Sequence, residues 1–277
     1  MPELPEVETV RRDLEKEVVG RRIKTVEVNG LRSIRRHTNK KQFISRIEGQ
    51  KIDAIERRGK NILISLGDDY LVCHLGMSGQ LLKAAVKDPV VKHTHVTITF
   101  TQGGQLRFVD PRTFGEMFVA AKDNLRAEAS ELHDLGFDPI EDVMSWNDFG
   151  NRLIAKKVKL KTLLMDQKFV AGIGNIYSDE ILWTAGLRYD RGSETVSTQE
   201  VRRLYRAIGE VLQEAIKMRG SSLADEQYRD LYGNVGTYQN EHKVYARDGE
   251  PCRRCRHIIE RVKWGGRSAF YCPGCQV

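Results

Sequence analysis

Four cysteines close the chain in the pattern Cys252-x2-Cys255-x16-Cys272-x2-Cys275. Two knuckles at that spacing match a structural zinc ribbon. Four thiolates complete a tetrahedral shell with no open position, so the expected Zn2+ would hold structure rather than perform catalysis. His257 is surplus to that set and reads as a surface histidine; Cys73, in an apolar run, reads as a buried strand thiol. At the other end, Pro2-Glu3 follows the initiator methionine. A small second residue permits methionine removal, which would expose a secondary amine. An α-amine titrates at about 7.7–8.0, and the positive end of a helix starting there would lower it further. A secondary amine attacking a sugar C1′ can form only a cationic iminium, an electron sink suited to glycosidic cleavage and then phosphate elimination. Glu3 beside it could carry protons. Read alone, the pair far more often marks an ordinary helix N-terminus.

These residues need a scaffold, and hydrophobic periodicity outlines one. Leu4, Val7, Val10, Leu14 and Val18 recur at spacings of three and four, which predicts a helix over 3–18. Short apolar or alternating runs follow at 25–28, 51–57, 62–66, 71–75, 96–100, 106–109 and 117–120, several of them separated by turn signals such as Gln102-Gly103-Gly104. That spacing predicts an antiparallel β-sandwich or barrel. Helical periodicity takes over at 148–155, 160–167, 176–185 and 198–218, then a polar, Gly-rich stretch at 220–241 leads to the cysteines. The fold class expected is α+β. Its parts are a β-sandwich domain with an N-terminal helix over 1–130, a helical domain over 131–241 and a zinc ribbon over 242–277, with a cleft between the two large domains wide enough for a duplex.

At 277 residues the chain can bury real cores without disulfides. No run offers the roughly 18 apolar residues of a membrane span, and the acidic start lacks a signal peptide's basic and apolar regions, so a cytoplasmic address without membrane partners is expected. The net charge of +7 is modest as a total but uneven. Residues 32–60 carry ten basic against three acidic side chains, so the remainder of the chain sums to zero. Within that remainder, Lys156, Lys157, Lys159 and Lys161 form an acid-free run, and the ribbon carries seven basic residues against three acids over 247–267. Such clusters suit a phosphate backbone, although each could also be a solvated surface.

Four motifs occur in order: Pro2-Glu3-Leu4-Pro5-Glu6-Val7-Glu8, Arg57-Arg58-Gly59-Lys60, Gly172-Ile173-Gly174-Asn175-Ile176-Tyr177 and the terminal ribbon. On these, the chain resembles bacterial formamidopyrimidine-DNA glycosylases from end to end. The resemblance implies a bifunctional glycosylase/AP lyase that removes oxidised purines from double-stranded DNA, acting as a nucleoid-associated monomer. It implies that Pro2 is the nucleophile, Glu3 the general acid/base, Lys60 a phosphate-binding lysine that assists catalysis, and Arg267 a clamp on the phosphates flanking the flipped nucleotide. It implies a helix-two-turn-helix whose Asn175 holds the backbone, with further DNA contacts from His74, Met77, His93, Arg112, Phe114 and Lys157. Of these, Met77, Arg112 and Phe114 lie on two loops, 74–79 and 110–115, that would fill the gap left by an everted base. The first loop reads Leu-Gly-Met-Ser-Gly where many members have Leu-Arg-Met-Glu-Gly, and the stretch 224–234 departs from the common pattern, which leaves lesion preference open. Two other readings stay open: an endonuclease VIII-like enzyme for oxidised pyrimidines, disfavoured by Leu4-Pro5, and a non-catalytic DNA-damage binder, disfavoured by intact Pro2, Glu3 and Lys60.

Overall fold

The computed structural model describes residues 1–223 and 227–277. They form two compact units, Met1–Asp134 with Met218–Thr237, and Leu135–Lys217 with Tyr238–Val277.

The first unit begins with helix α1 (Leu4–Val18). Its start is capped from within, since the Glu3 backbone N–H donates to Glu6 Oε2 at 2.8 Å, satisfying one of the donors a helix N-terminus leaves orphaned. Pro5 lies in the first turn, where its missing N–H costs nothing. Leu4, Val7, Val10, Leu14 and Val18 are all buried, as their spacing predicts. Next come β1 (Ile23–Val28), a short helix α2 (Lys40–Ser45) and seven strands: β2 (Ala54–Arg58), β3 (Asn61–Leu66), β4 (Asp69–His74), β5 (Gln80–Ala84), β6 (Thr94–Phe100), β7 (Gln105–Val109) and β8 (Glu116–Ala121). They form two antiparallel four-stranded sheets, ordered β1-β6-β7-β5 and β2-β3-β4-β8. Ile55, Ile62, Ile64, Leu71, Met117 and Val119 of the second sheet share one core with Val26, Ile98, Leu106 and Phe108 of the first. Two single-turn helices, α3 (Leu125–Glu128) and α4 (Ser130–His133), end this part of the unit.

The strands expected from the sequence are present, joined by one that periodicity does not reveal. In β5 only Leu81 is buried, so the strand shows no alternation to read. Residues 218–237 follow the helices in the chain but belong to this unit. Leu231 and Tyr228 enter its core, Leu231 C=O accepts from Lys83 N at 2.9 Å, and Arg219 bridges Asp13 of α1 and Asp230. The division therefore follows where Leu231 is buried rather than chain order.

The second unit contains α5 (Trp146–Ala155), α6 (Leu160–Met165), α7 (Asn175–Ala185) and α8 (Thr198–Lys217). Helix α7 ends on Gly186 in the left-handed conformation, φ 71°, which glycine adopts without steric cost. Its buried Glu180 accepts the backbone N–H groups of Lys243, Val244 and Tyr245 at 2.8, 3.0 and 2.9 Å, fixing the entry to the ribbon. The ribbon's hairpin is β9 (Glu260–Trp264) and β10 (Arg267–Tyr271), joined by Gly265-Gly266 at φ 51° and 76°. A two-residue turn with both φ positive matches the twist of the flanking strands.

Within the first unit, Arg57 of β2 is fully buried, and its Nε donates to Glu8 Oε2 of α1 at 2.9 Å. Arg11 and Arg12 also donate to Glu8. Burial pushes the Glu8 carboxyl up, but the hydrogen bonds from Arg11, Arg12 and Arg57 outweigh it and hold Glu8 below its ordinary value. Because the folded pKa is depressed, this stabilisation is complete above the unfolded value of about 4.3 and fades as pH falls through the folded one. Glu8→Ala should cost about 3 kcal/mol at neutral pH, since it leaves Arg57 buried without its carboxylate. Denaturant melts should show the gap to the parent closing in acid; a constant gap from pH 7 to pH 3 would contradict the assignment.

Candidate active site and nucleic-acid interface

Helix α1 positions the first candidate group. Pro2 is buried, Glu3 is 3 % exposed and forms the N-cap with extended backbone, and Met1 precedes them at the surface. Lys60 lies in the two-residue turn between β2 and β3, where Arg58 pairs with Asn61 and Gly59 takes φ 56°. The turn is clamped from below, because Arg57 Nη1 donates to Gly59 C=O at 3.0 Å while its Nε holds Glu8. Lys60 is 8 % exposed. One buried arginine thus joins the helix carrying Pro2 and Glu3 to the turn carrying Lys60.

The two loops expected to probe DNA are adjacent in the same unit. Met77 and Phe114 are exposed at 37 % and 47 %, unlike core residues of their size, and the Arg112 guanidinium lies 5.3 Å from the Phe114 ring. Thr113 between them has φ 55°, a strained value for a β-branched residue. His93 is also exposed and in the left-handed region at φ 66°. His74 is engaged locally, its Nδ1 accepting from Gly76 N at 3.2 Å. Burial, with Lys60, Arg35 and Arg36 nearby, holds its pKa below the ordinary value against the opposing pull of Glu116. Glu116 pairs with Arg35 at 3.1 Å and Arg36 at 2.6 Å, and Arg35 also donates to Gly115 C=O at 2.9 Å. Sequence reasoning assigns no individual role to Arg35, Arg57 or Glu116; the fold buries Arg57 and Glu116 and pairs the exposed Arg35 with Glu116.

In the second unit, Asn175 is the first residue of α7, after a loop with Gly172 at φ 92°. Gln167 organises that loop, accepting from Gly172 N at 2.9 Å and donating to Ile173 C=O at 2.7 Å. The buried Asn175 Oδ1 has no hydrogen-bond partner among the described residues. Lys157 is exposed at φ 50°. Lys161 departs from the expected phosphate track. It is fully buried, with Nζ 2.6 Å from Asp179 Oδ1, because its position on α6 faces α7 rather than solvent. Arg267 opens β10 and is exposed beside a groove of about 630 Å³ lined by Arg261, Lys263, Trp264 and the glycine turn. The ribbon's positive face is narrower than its composition implies. Arg247 pairs with Glu250, Arg253 pairs with Glu241, and Arg254 stacks 4.1 Å over Trp183.

The four cysteine Sγ atoms lie within 4.8 Å of one another, with Cys252–Cys275 at 3.8 Å and Cys255–Cys272 at 3.3 Å. A tetrahedral shell with bonds of about 2.3 Å requires sulfur separations of about 3.7 Å. The donor set therefore fits a closed four-thiolate metal site. Trp183 Nε1 and the Arg254 N–H each point at Cys252 Sγ at 3.4 Å, the outer-shell donors a thiolate attracts.

Family models match three stretches: a formamidopyrimidine-DNA glycosylase N-terminal domain over residues 1–117, a formamidopyrimidine-DNA glycosylase H2TH domain over 135–227, and a zinc finger found in FPG and IleRS over 249–277. The formamidopyrimidine-DNA glycosylase of Pelotomaculum thermopropionicum is 42% identical over 277 residues, covering 100% of this chain and 99% of that one. This chain belongs to the formamidopyrimidine-DNA glycosylase family. The formamidopyrimidine-DNA glycosylase of Desulfitobacterium hafniense is 39% identical over 278 residues, with both chains covered in full. Among solved structures, Lactococcus lactis Fpg in complex with abasic-site DNA superposes with a TM-score of 0.90 at 37% identity, covering 99% of each chain. Thermus thermophilus MutM (FPG) gives 0.88 at 38% identity, covering 99% of this chain and 98% of that one. The α+β fold, with its helical region and terminal cluster of four cysteines, is that of the formamidopyrimidine-DNA glycosylases. The divergent stretch begins at Ala224; residues 224–226 lie outside the described residues.

The thiols supply a direct check. Burial pushes the Cys73 thiol well up and keeps it inert. In the native metal-loaded protein no thiol should react quickly with a thiol reagent. A strong chelator should release four, and Cys73 should follow only in denaturant. Five thiols reacting natively would contradict both assignments.

Proposed function

We propose that this chain excises oxidised purines, 8-oxoguanine and formamidopyrimidines, from duplex DNA and then cuts the backbone by successive β- and δ-elimination. Membership of the family supports the reading. The observation that carries it is the tie, through Glu8 and Arg57, between the helix start bearing Pro2 and Glu3 and the turn bearing Lys60.

With Met1 removed, the Pro2 amine attacks C1′ of the damaged nucleotide as the base leaves with its bonding electrons and a proton. Glu3 acts as the general acid/base, opening the sugar to a cationic iminium. Loss of a C2′ proton to a base expels the 3′-phosphate, and a second elimination expels the 5′-phosphate; water then hydrolyses the iminium and restores the amine. Lys60 neutralises a phosphate beside the lesion, an electrostatic contribution strengthened by its burial. Arg267 and Asn175 hold the flanking backbone, with Lys157, His93 and His74 as further DNA contacts, while Met77, Arg112 and Phe114 occupy the emptied stack. Zn2+ is the metal the four thiolates suit, and it would stiffen the hairpin that presents Arg267. The protein works as a monomer in the cytoplasm, on the nucleoid. No helix among the described residues is long and apolar enough to cross a membrane.

On duplex DNA with one 8-oxoguanine opposite cytosine, Glu3→Gln should slow base release by about 10²–10⁴-fold. Pro2→Gly should cripple nicking with affinity nearly unchanged; nicking of abasic DNA at the parent rate would exclude Pro2 as nucleophile. Arg267→Ala should weaken binding and flatten log K against log salt by roughly one unit of slope. An unchanged slope would reject the clamp.

A further inference from the structure

The two exposed loops of the first unit are not independent. Asp110 lies between them, fully buried, with both carboxylate oxygens engaged. Ser78 Oγ, on the loop of Met77, donates to Asp110 Oδ1 at 2.5 Å. The Arg112 N–H lies 3.2 Å from both Asp110 Oδ1 and Ser78 Oγ, and Gly115 N donates to Asp110 Oδ2 at 2.7 Å. The backbone of Asp110 extends the node to a third segment. Its N–H donates to His93 C=O at 3.0 Å, and its C=O lies 2.8 Å from His95 Nε2. The loops also meet backbone to backbone. A Cβ on Gly76 would stand 2.5 Å from Gly115 N and 2.6 Å from the Phe114 carbonyl carbon, so only glycine fits there.

We propose that Asp110, through Ser78, is a positioning residue that makes Met77, His93, Arg112 and Phe114 one rigid probe, advancing into the duplex together rather than as separate side chains. This rests on the reading above that Met77, Arg112 and Phe114 enter the stack and that His93 contacts the DNA beside them. The chemistry fits the task. A buried carboxylate gains most from charge-assisted hydrogen bonds when every acceptor position is filled by a fixed donor. Here the donors come from the loops that must stay in register, and the strained Thr113 turn is held by the same bonds. The short Ser78 hydroxyl is fully buried and turns inward to Asp110, so the position serves loop coupling.

Ser78→Ala deletes one donor without adding volume, and Ser78→Thr restores it. The readout is stopped-flow fluorescence of 2-aminopurine placed beside an 8-oxoguanine, together with single-turnover base release and sodium borohydride trapping on duplex carrying a preformed abasic site. Ser78→Ala should slow the fluorescence phase and base release by about tenfold, as expected for displaced probes. Trapping on abasic DNA should stay near the parent's, the melting temperature should fall by no more than the several degrees that one lost charge-assisted hydrogen bond accounts for, and Ser78→Thr should recover most of the rate. Combined with Met77→Ala, the serine change should add little further, because the two act as a unit. Parent rates in Ser78→Ala, while Met77→Ala and Arg112→Ala are slowed, would overturn the coupling and leave the insertion loops standing. Parent rates in all three would instead overturn the insertion reading. A fall in melting temperature that accounts for the slower rate, without rescue by threonine, would reduce Ser78 to a packing role and also overturn the proposal.

Discussion

The buried ion pair between Glu8 and Arg57 fixes how the first helix is mounted on the β-sandwich, and the proposed chemistry depends on that mounting. Neither side chain reaches solvent appreciably, at 2% and 0% exposure, so the pair is barely screened and cannot exchange for water without cost. Arg57 Nη1 donates to the Gly59 carbonyl while Nε holds Glu8, so one guanidinium spans from α1 to the turn of Lys60. A nucleophile at a chain terminus would ordinarily fray. Here the helix start is held from two further sides, by Glu6, whose carboxylate accepts both the Glu3 N–H and the Ser221 N–H at 2.8 and 2.7 Å, and by Arg219 bridging Asp13 to Asp230. The helix start immediately behind Pro2 is thus held by buried contacts.

A common device recurs across the molecule. Glu6, Asp110 and Glu180 are each buried, and each gathers a donor from a segment distant in sequence. Their targets are loops rather than regular elements: the segment at Ser221, the two proposed probe loops and the entry to the ribbon. Loops have no ladder to fix them, so a buried carboxylate saturated by backbone N–H groups supplies the missing rigidity. Positions proposed to meet DNA can then stay irregular in backbone and still be well placed.

Much of this was legible in the sequence, for reasons that particular residues make clear. The helix 4–18 announced itself because its apolar residues repeat at three and four, and the cysteine knuckles because metal geometry dictates their spacing. The motif residues were legible through family resemblance, since Lys60 or Asn175 alone looks like any turn lysine or helix cap. What stayed hidden is the destination of charge. Arg35, Arg36, Arg46 and Arg57 contribute to the positive excess of residues 32–60, yet each is paired with an acid from elsewhere in the first unit. Lys161, within an apparently uniform lysine run, is an interior residue. Composition counts charges but cannot say which are neutralised, because their partners lie tens of residues away. Strand β5 was missed for the simpler reason that only one of its residues is buried.

Mapping the covalent adduct tests the central claim most directly. Duplex DNA bearing 8-oxoguanine opposite cytosine is incubated with the protein and sodium borohydride, and the trapped species is digested and sequenced by mass spectrometry. The account predicts one adduct, on the peptide that begins with Pro2, carrying the reduced sugar on the proline nitrogen. An adduct on Lys60 or another lysine, or none while the DNA remains bound, would contradict it.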